Sequence, residues 1–230
     1  MSKITRHQWF ELVFRSLIFL STIAAYIVLK TTHANLYWWI MEGIILVFFS
    51  YKMISRLIPS KRESMGNQKV FLKNYINKIK DLKQITSLKN EGNRVAWIVA
   101  IVWLLGNISI FILYFCKIID REFLMIIAMA FSVCDLVCVL AICPFQRLFM
   151  RNKCCNTCRI YNWDFAMMFT PLWVVPSIIT LPLVLQSLTV LIHWEVKHNQ
   201  FPERFYEETN DCLSCKNCKE FMCRNKSRKV

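Results

Sequence analysis

Hydrophobic and polar positions segregate into long blocks along this chain. Five apolar runs, at 9–29, 36–54, 95–115, 123–143 and 165–192, are separated by polar connections. A bilayer crossing takes about 20 mostly apolar residues, because the hydrocarbon core is roughly 30 Å thick and a helix rises about 1.5 Å per residue. The five runs therefore predict an all-α fold, a multi-pass membrane helix bundle. Trp9, Tyr37, Trp38, Trp39 and Trp194 fall at the ends of runs, where amphipathic rings settle among lipid headgroups.

The fifth run is irregular. As one helix it would be about 42 Å long, too long for one upright crossing and too short for two. Pro171, Pro176 and Pro182 interrupt it, each removing a backbone donor and favouring a kink. It either crosses once, tilted and bent, or dips in and returns as a re-entrant hairpin. The chain then divides into a first helix pair (1–54), a basic connection (55–94), a second helix pair (95–143), a cysteine-rich connection (144–164), the proline-interrupted segment (165–192) and a cysteine-rich basic tail (193–230).

The basic connection has a pattern of its own. Leu72, Tyr75, Ile76, Ile79, Leu82, Ile85 and Leu88 recur at near-helical intervals, with Lys69, Lys73, Lys78, Lys80 and Lys83 interleaved. This predicts a basic amphipathic helix over 67–90 that ends near Gly92 and lies on anionic lipid or docks a partner protein.

Composition narrows the class. Apolar residues make up 56% of the 230 and charged ones only 19%, with four glycines and a mean hydropathy of +0.37. Such a chain is neither disordered nor a small disulfide scaffold. The net charge of +14 reports in a membrane protein which connections face the cytoplasm, so no nucleic-acid partner is expected. Ten Lys or Arg against three acids in 55–94 place that stretch inside. Lys3 and Arg6 do the same for the N-terminus, and Arg147, Arg151, Lys153 and Arg159 for the cysteine-rich connection. The expected location is the cell membrane, multi-pass, with the N-terminus cytoplasmic. Lys3, Arg6 and Arg15 ahead of a short apolar run also resemble a signal peptide, but Thr32-His33-Ala34 is a poor cleavage site.

Seven of the eleven cysteines fall in two short polar stretches. The first holds Cys154, Cys155 and Cys158; the second holds Cys212, Cys215 and Cys218, followed by Cys223. Two residues between cysteines let one turn aim both sulfurs at one metal, which is why C-x2-C recurs in zinc and iron-sulfur sites. The consecutive C-x2-C-x2-C of Cys212, Cys215 and Cys218 has the ligand spacing of iron-sulfur runs. Cys223 follows after four residues where the bacterial ferredoxin run has three, and no proline follows it. Lys153, Arg159, Lys216 and Lys219 favour thiolates nearby. If the fifth run returns, all seven thiols share one surface; if it crosses once, they cannot share a metal.

Inside the apolar runs, Asp135 and Glu42 are costly unless paired, hydrated or neutralised. Each suits either proton, ion or quinone chemistry or an interhelical hydrogen bond. Asn107 suits a link between helices, and Cys134 and Cys138, four apart, a packed apolar pair. No hydrolase, P-loop or dinucleotide-binding motif is present in the sequence.

The expected function is an integral membrane redox protein with an iron-sulfur cluster or thiolate-bound iron, passing electrons to a redox partner at the membrane surface. A structural or regulatory membrane protein with a four-cysteine zinc site that docks a partner is the alternative. A transporter or channel using Asp135 and Glu42 is the third reading, and oligomers are compatible with each.

Overall fold

The computed structural model describes residues 2–33, 35–60, 63–78, 82–150, 154–218 and 220. Among them the regular structure is helical, apart from one isolated antiparallel bridge between Asn77 and Asn210. The α-helices are α1 (Lys3–Thr32), α2 (Asn35–Leu57), α3 (Met65–Gln68), α4 (Leu82–Phe115), α5 (Arg121–Leu140), α6 (Asp164–Phe169) and α7 (Thr180–Gln200). Three stretches, Lys3–Thr32, Lys83–Phe115 and Arg121–Leu140, are long and apolar enough to cross a membrane. Their outer faces carry exposed Phe10, Leu17, Trp97, Ile101, Leu105 and Val137, the surface that lipid would cover. The second apolar run forms α2, which carries Glu42, Lys52 and Arg56.

The elements share two ends. At one, Lys30 late in α1 meets Asp120, the residue that caps α5, at 2.7 Å, and Tyr26 donates to the same carboxylate at 3.0 Å. At the other, Ser2 and Thr5 donate to the Glu220 carbonyl, and Arg56 near the end of α2 reaches Asn67, Asn162 and Asp164. Between them the core is aromatic and close-packed. Phe49 meets Phe169 and Phe165 edge-on at 5.3 and 6.4 Å, with Ile45, Leu124, Met129 and Leu183 around them.

The proline-rich segment turns back on itself. It resolves into α6, a 3-10 stretch (Thr170–Val174), a reversal over 175–179 and α7. Trp163 Nε1 donates to Glu195 at 2.7 Å, so the start of α6 lies beside the last turns of α7. Each proline sits where its missing N–H is tolerated: Pro171 opens the 3-10 stretch, Pro176 lies in the reversal and Pro182 is in the first turn of α7.

Three expectations need correction. Residues 67–90 do not form one amphipathic helix. After α3 comes a turn at Leu72–Asn74, and then extended backbone pairs with the C-terminal segment. The Asp211 amide donates to the Ile76 carbonyl at 2.9 Å and the Lys78 amide to the Thr209 carbonyl at 3.1 Å. These long-range bonds replace helical ones. Gly92 lies inside α4 and ends nothing; a Cβ there would stand 2.6 Å from the Tyr206 hydroxyl. Trp194 is no headgroup anchor. It is fully buried, donates Nε1 to the Arg159 carbonyl at 2.9 Å and packs on Phe205 at 4.8 Å. Asn107, for its part, donates to Trp103 of its own helix at 2.9 Å.

Candidate functional site

Two cysteine turns sit in a polar cap at the end of the bundle that holds the N-terminus. The first is a 3-10 turn at Cys155–Thr157, closed by the Cys158 amide donating to the Cys155 carbonyl at 3.0 Å. Cys155 and Cys158 are both buried, and the Cys155 thiol donates to Gln146 Oε1 at 3.2 Å. The turn is held from behind by α3: the Gly66 amide donates to Asn156 Oδ1 at 3.3 Å, and Lys69 Nζ donates to the carbonyls of Asn156 and Cys158 at 2.9 and 2.8 Å. Immediately after it, Arg159 forms a bidentate pair with Glu195 at 2.8 and 2.6 Å.

The second turn has the same backbone form. Cys215–Asn217 is again 3-10, and the Cys218 amide donates to the Cys215 carbonyl at 3.4 Å. Cys158 and Cys218 have closely similar dihedrals, φ −64, ψ 129 and φ −67, ψ 120. Ahead of it Asn210 Oδ1 accepts from the Cys212 and Ile76 amides, and Asn217 Nδ2 donates to Asp211. Glu220 then reaches α3 behind the first turn, where it accepts from the Met65 amide. Burial pushes the Glu220 carboxyl upward, against the pull of the Met65 amide.

Lys69 is the unusual residue of this cap. It is fully buried, and among the described residues no carboxylate pairs with it. Its ammonium lies 5.3 and 5.6 Å from the ring centres of Trp194 and Phe205. Burial lowers its pKa to about 7, while the neighbouring Cys158, Cys154 and Cys155 pull the other way to the extent that they ionise. Ionisation of the thiols in the first turn would favour the charged form of this lysine.

The residues named from the sequence are only partly assembled. Cys155 and Cys158 form one pair and Cys215 and Cys218 another; Cys154 and Cys212 flank them. Cys223, Lys153 and Lys219 lie outside the described residues. Among the described residues no three His, Cys, Asp or Glu side chains gather around one point. Arg159, expected to favour thiolates, spends its charge on Glu195. Comparison with family models, curated proteins and solved structures finds no match.

A second constellation lies deeper, between α1, α2, α5 and α6. Arg15, with no exposed side-chain surface, donates to Glu11 at 2.7 and 3.2 Å, to Asp135 at 3.3 Å and to the Ser132 carbonyl at 3.1 Å. Lys52 meets the other oxygen of Glu11 at 2.7 Å, and Arg56 pairs with Asp164 at 2.9 Å. Asp135 therefore joins helices through an ion pair. Glu42 is held by Arg121 at 3.1 Å, apart from this network. Glu11, Arg15, Lys52, Arg56 and Asp164 escape a reading by composition. Their one legible signal is that Glu11 and Arg15 are four apart, on one helical face. Cys134 is exposed and Cys138 half-buried near Cys143.

Proposed function

We propose that this chain is an integral membrane protein whose cap binds a thiolate-held metal, with Cys155 and Cys158 as one ligand pair and Cys215 and Cys218 as the other. The carrying observation is that two C-x2-C turns of matching backbone form stand at the same end of the bundle, where Glu220, shortly after the second turn, accepts from the Met65 amide of α3, the helix that backs the first. Both turns serve as attachment points for other segments, α3 behind the first and residues 76–77 beside the second. That favours a structural role: zinc, bound by four thiolates, would staple the C-terminal segment onto the cap and present a fixed surface to a partner. Buried Lys69 supports the reading, since thiolate charge in the first turn would compensate its ammonium.

The C-x2-C-x2-C run of Cys212, Cys215 and Cys218 carries the second reading, an iron-sulfur centre passing electrons at the same surface. In both readings α6 and α7 dip into the bilayer and return, and the cap faces the cytoplasm, where thiols stay reduced.

The test is the metal content of the full chain, purified anaerobically in detergent. Stoichiometric zinc, lost in Cys155→Ser and Cys215→Ser alike, is expected. Brown protein with iron and acid-labile sulfide would select the redox reading, and metal-free protein would overturn both. For orientation, a cysteine at Ser87, exposed on α4, should resist membrane-impermeant thiol reagents in intact cells.

A further inference from the structure

Charge is distributed unevenly between the two ends of the bundle. At the end where Lys30 meets Asp120, the basic residues are Lys30, Lys117 and Arg121 and the acids are Glu42, Asp120 and Glu122, so the charges cancel. Lys30 and Arg121 also have carboxylate partners there, Asp120 at 2.7 Å and Glu42 at 3.1 Å. The net charge of +14 therefore belongs to the rest of the chain.

Part of that excess is held in a definite pattern. Each of the three helices able to cross a membrane has one exposed arginine on the cap side of its lipid-facing stretch: Arg6 early in α1, Arg94 in α4 and Arg147 shortly after α5. Their neighbours fix the end, since Thr5 donates to the Glu220 carbonyl, Gly92 faces Tyr206 and Gln146 accepts from the Cys155 thiol. Among the described residues no carboxylate pairs with any of the three. Helical spacing sets the first two at the head of an apolar stripe. Arg6, Phe10, Val13 and Leu17 share the face of α1 opposite buried Gln8, Glu11 and Arg15. Arg94, Ile98, Ile101 and Leu105 share the face of α4 opposite buried Ala96 and Val99. Arg147 is followed directly by exposed Leu148. A cation one turn ahead of the first lipid-facing side chain lies at headgroup depth, its stem along the apolar stripe and its guanidinium among the phosphates.

We propose that Arg6, Arg94 and Arg147 bind the phosphates of anionic phospholipids, so that the protein prefers a negatively charged leaflet around its cap. This binding rests on the membrane-spanning part of the reading above and needs no metal in the cap. The guanidinium fork donates two parallel hydrogen bonds to a phosphate, and a negative net charge on the headgroup attracts basic residues at the bilayer surface. A soluble acidic partner fits less well, because it would leave the apolar stripes that continue from Arg6 and Arg94 uncovered.

The experiment is thermal unfolding of the full chain in mild detergent micelles, titrated with phosphatidylglycerol or, in parallel, with phosphatidylcholine at constant ionic strength. A saturable rise in Tm with phosphatidylglycerol is expected, and none of that size with phosphatidylcholine or inorganic phosphate. Arg6→Gln, Arg94→Gln and Arg147→Gln should each weaken the apparent phosphatidylglycerol affinity about fivefold, the contribution of one basic residue near an anionic surface. Lys117→Asn, exposed at the opposite end, should leave it unchanged. Equal responses to the two lipids would overturn the lipid contact, as would an equal response to inorganic phosphate or a phosphatidylglycerol response that survives in the triple arginine variant. Alkaline carbonate extraction from vesicles of either lipid tests the membrane reading separately: release from both would defeat that reading, whereas retention in both with equal Tm responses would defeat the lipid contact alone.

Discussion

Arg15 of α1 and Asp135 of α5 stand 120 residues apart in the chain and meet at 3.3 Å. The same guanidinium holds Glu11 through two bonds and the Ser132 carbonyl through a third. In a lipid-facing bundle the apolar contacts of α1 with α5 gain little over contacts with acyl chains, so a bonded cation is what specifies their register.

Arg15→Met should accordingly destabilise the protein by about 3–5 kcal/mol, because it strands buried carboxylates. Asp135→Asn keeps an acceptor for Arg15 and should cost less, about 1–2 kcal/mol. Unfolding of the two variants by added denaturing detergent, followed by tryptophan fluorescence, ranks them. Equal midpoints would show that Arg15 does not organise the network.

Gly92 of α4 faces the Tyr206 hydroxyl, which is engaged by His198 at 2.8 Å. Gly92→Ala should cost about 1–3 kcal/mol by forcing that hydroxyl aside. In a Tyr206→Phe background the nearest remaining ring atoms would be 3.5 Å from the new Cβ. There the same substitution should be neutral or stabilise by up to about 1 kcal/mol through helix propensity. Thermal midpoints of the four proteins test the reversal of sign.

With the cysteine turns free of metal, Lys69 gives a pH signature. Burial lowers its folded pKa to about 7, below the unfolded lysine range. Above about pH 7 the unfolded chain binds the proton and the folded chain does not, so stability attributable to Lys69 should rise from pH 7 toward the unfolded value and stay flat below. The difference in Tm between wild type and Lys69→Met, measured from pH 6 to 9, should move in favour of wild type as pH increases. A difference independent of pH would show that the lysine keeps its proton throughout.

Asp120 has the opposite sign. Burial opposes its ionisation, but the Lys30 ammonium, the Phe123 amide and the Tyr26 hydroxyl outweigh it and hold the carboxyl below the usual range. Its contribution should be complete above the unfolded carboxylate pKa and fade as pH falls through the lower, folded one. Asp120→Asn should therefore lose stability relative to wild type at neutral pH and match it more closely in acid. A constant gap in Tm would contradict this.

Long apolar runs are legible because a crossing helix satisfies its own backbone and needs only length and greasiness. α1, α4 and α5 follow from that requirement, and the extents of 9–29, 95–115 and 123–143 fall within or close to the helices observed. The C-x2-C turns are likewise local: a bond from residue four to residue one closes each without help from elsewhere. What escaped was settled between distant residues. Trp163 meets Glu195 only across the fold, setting the start of α6 beside α7, and residues 76–78 bond the backbone of 209–211 where the local pattern predicts a helix. Arg15 near a chain start looks like a basic flank, and only the approach of α5 makes it the centre of a buried network. The sequence by itself determined the helices whose hydrogen bonds are internal, and the tertiary structure decided every place where a buried polar group had to find its partner across the fold.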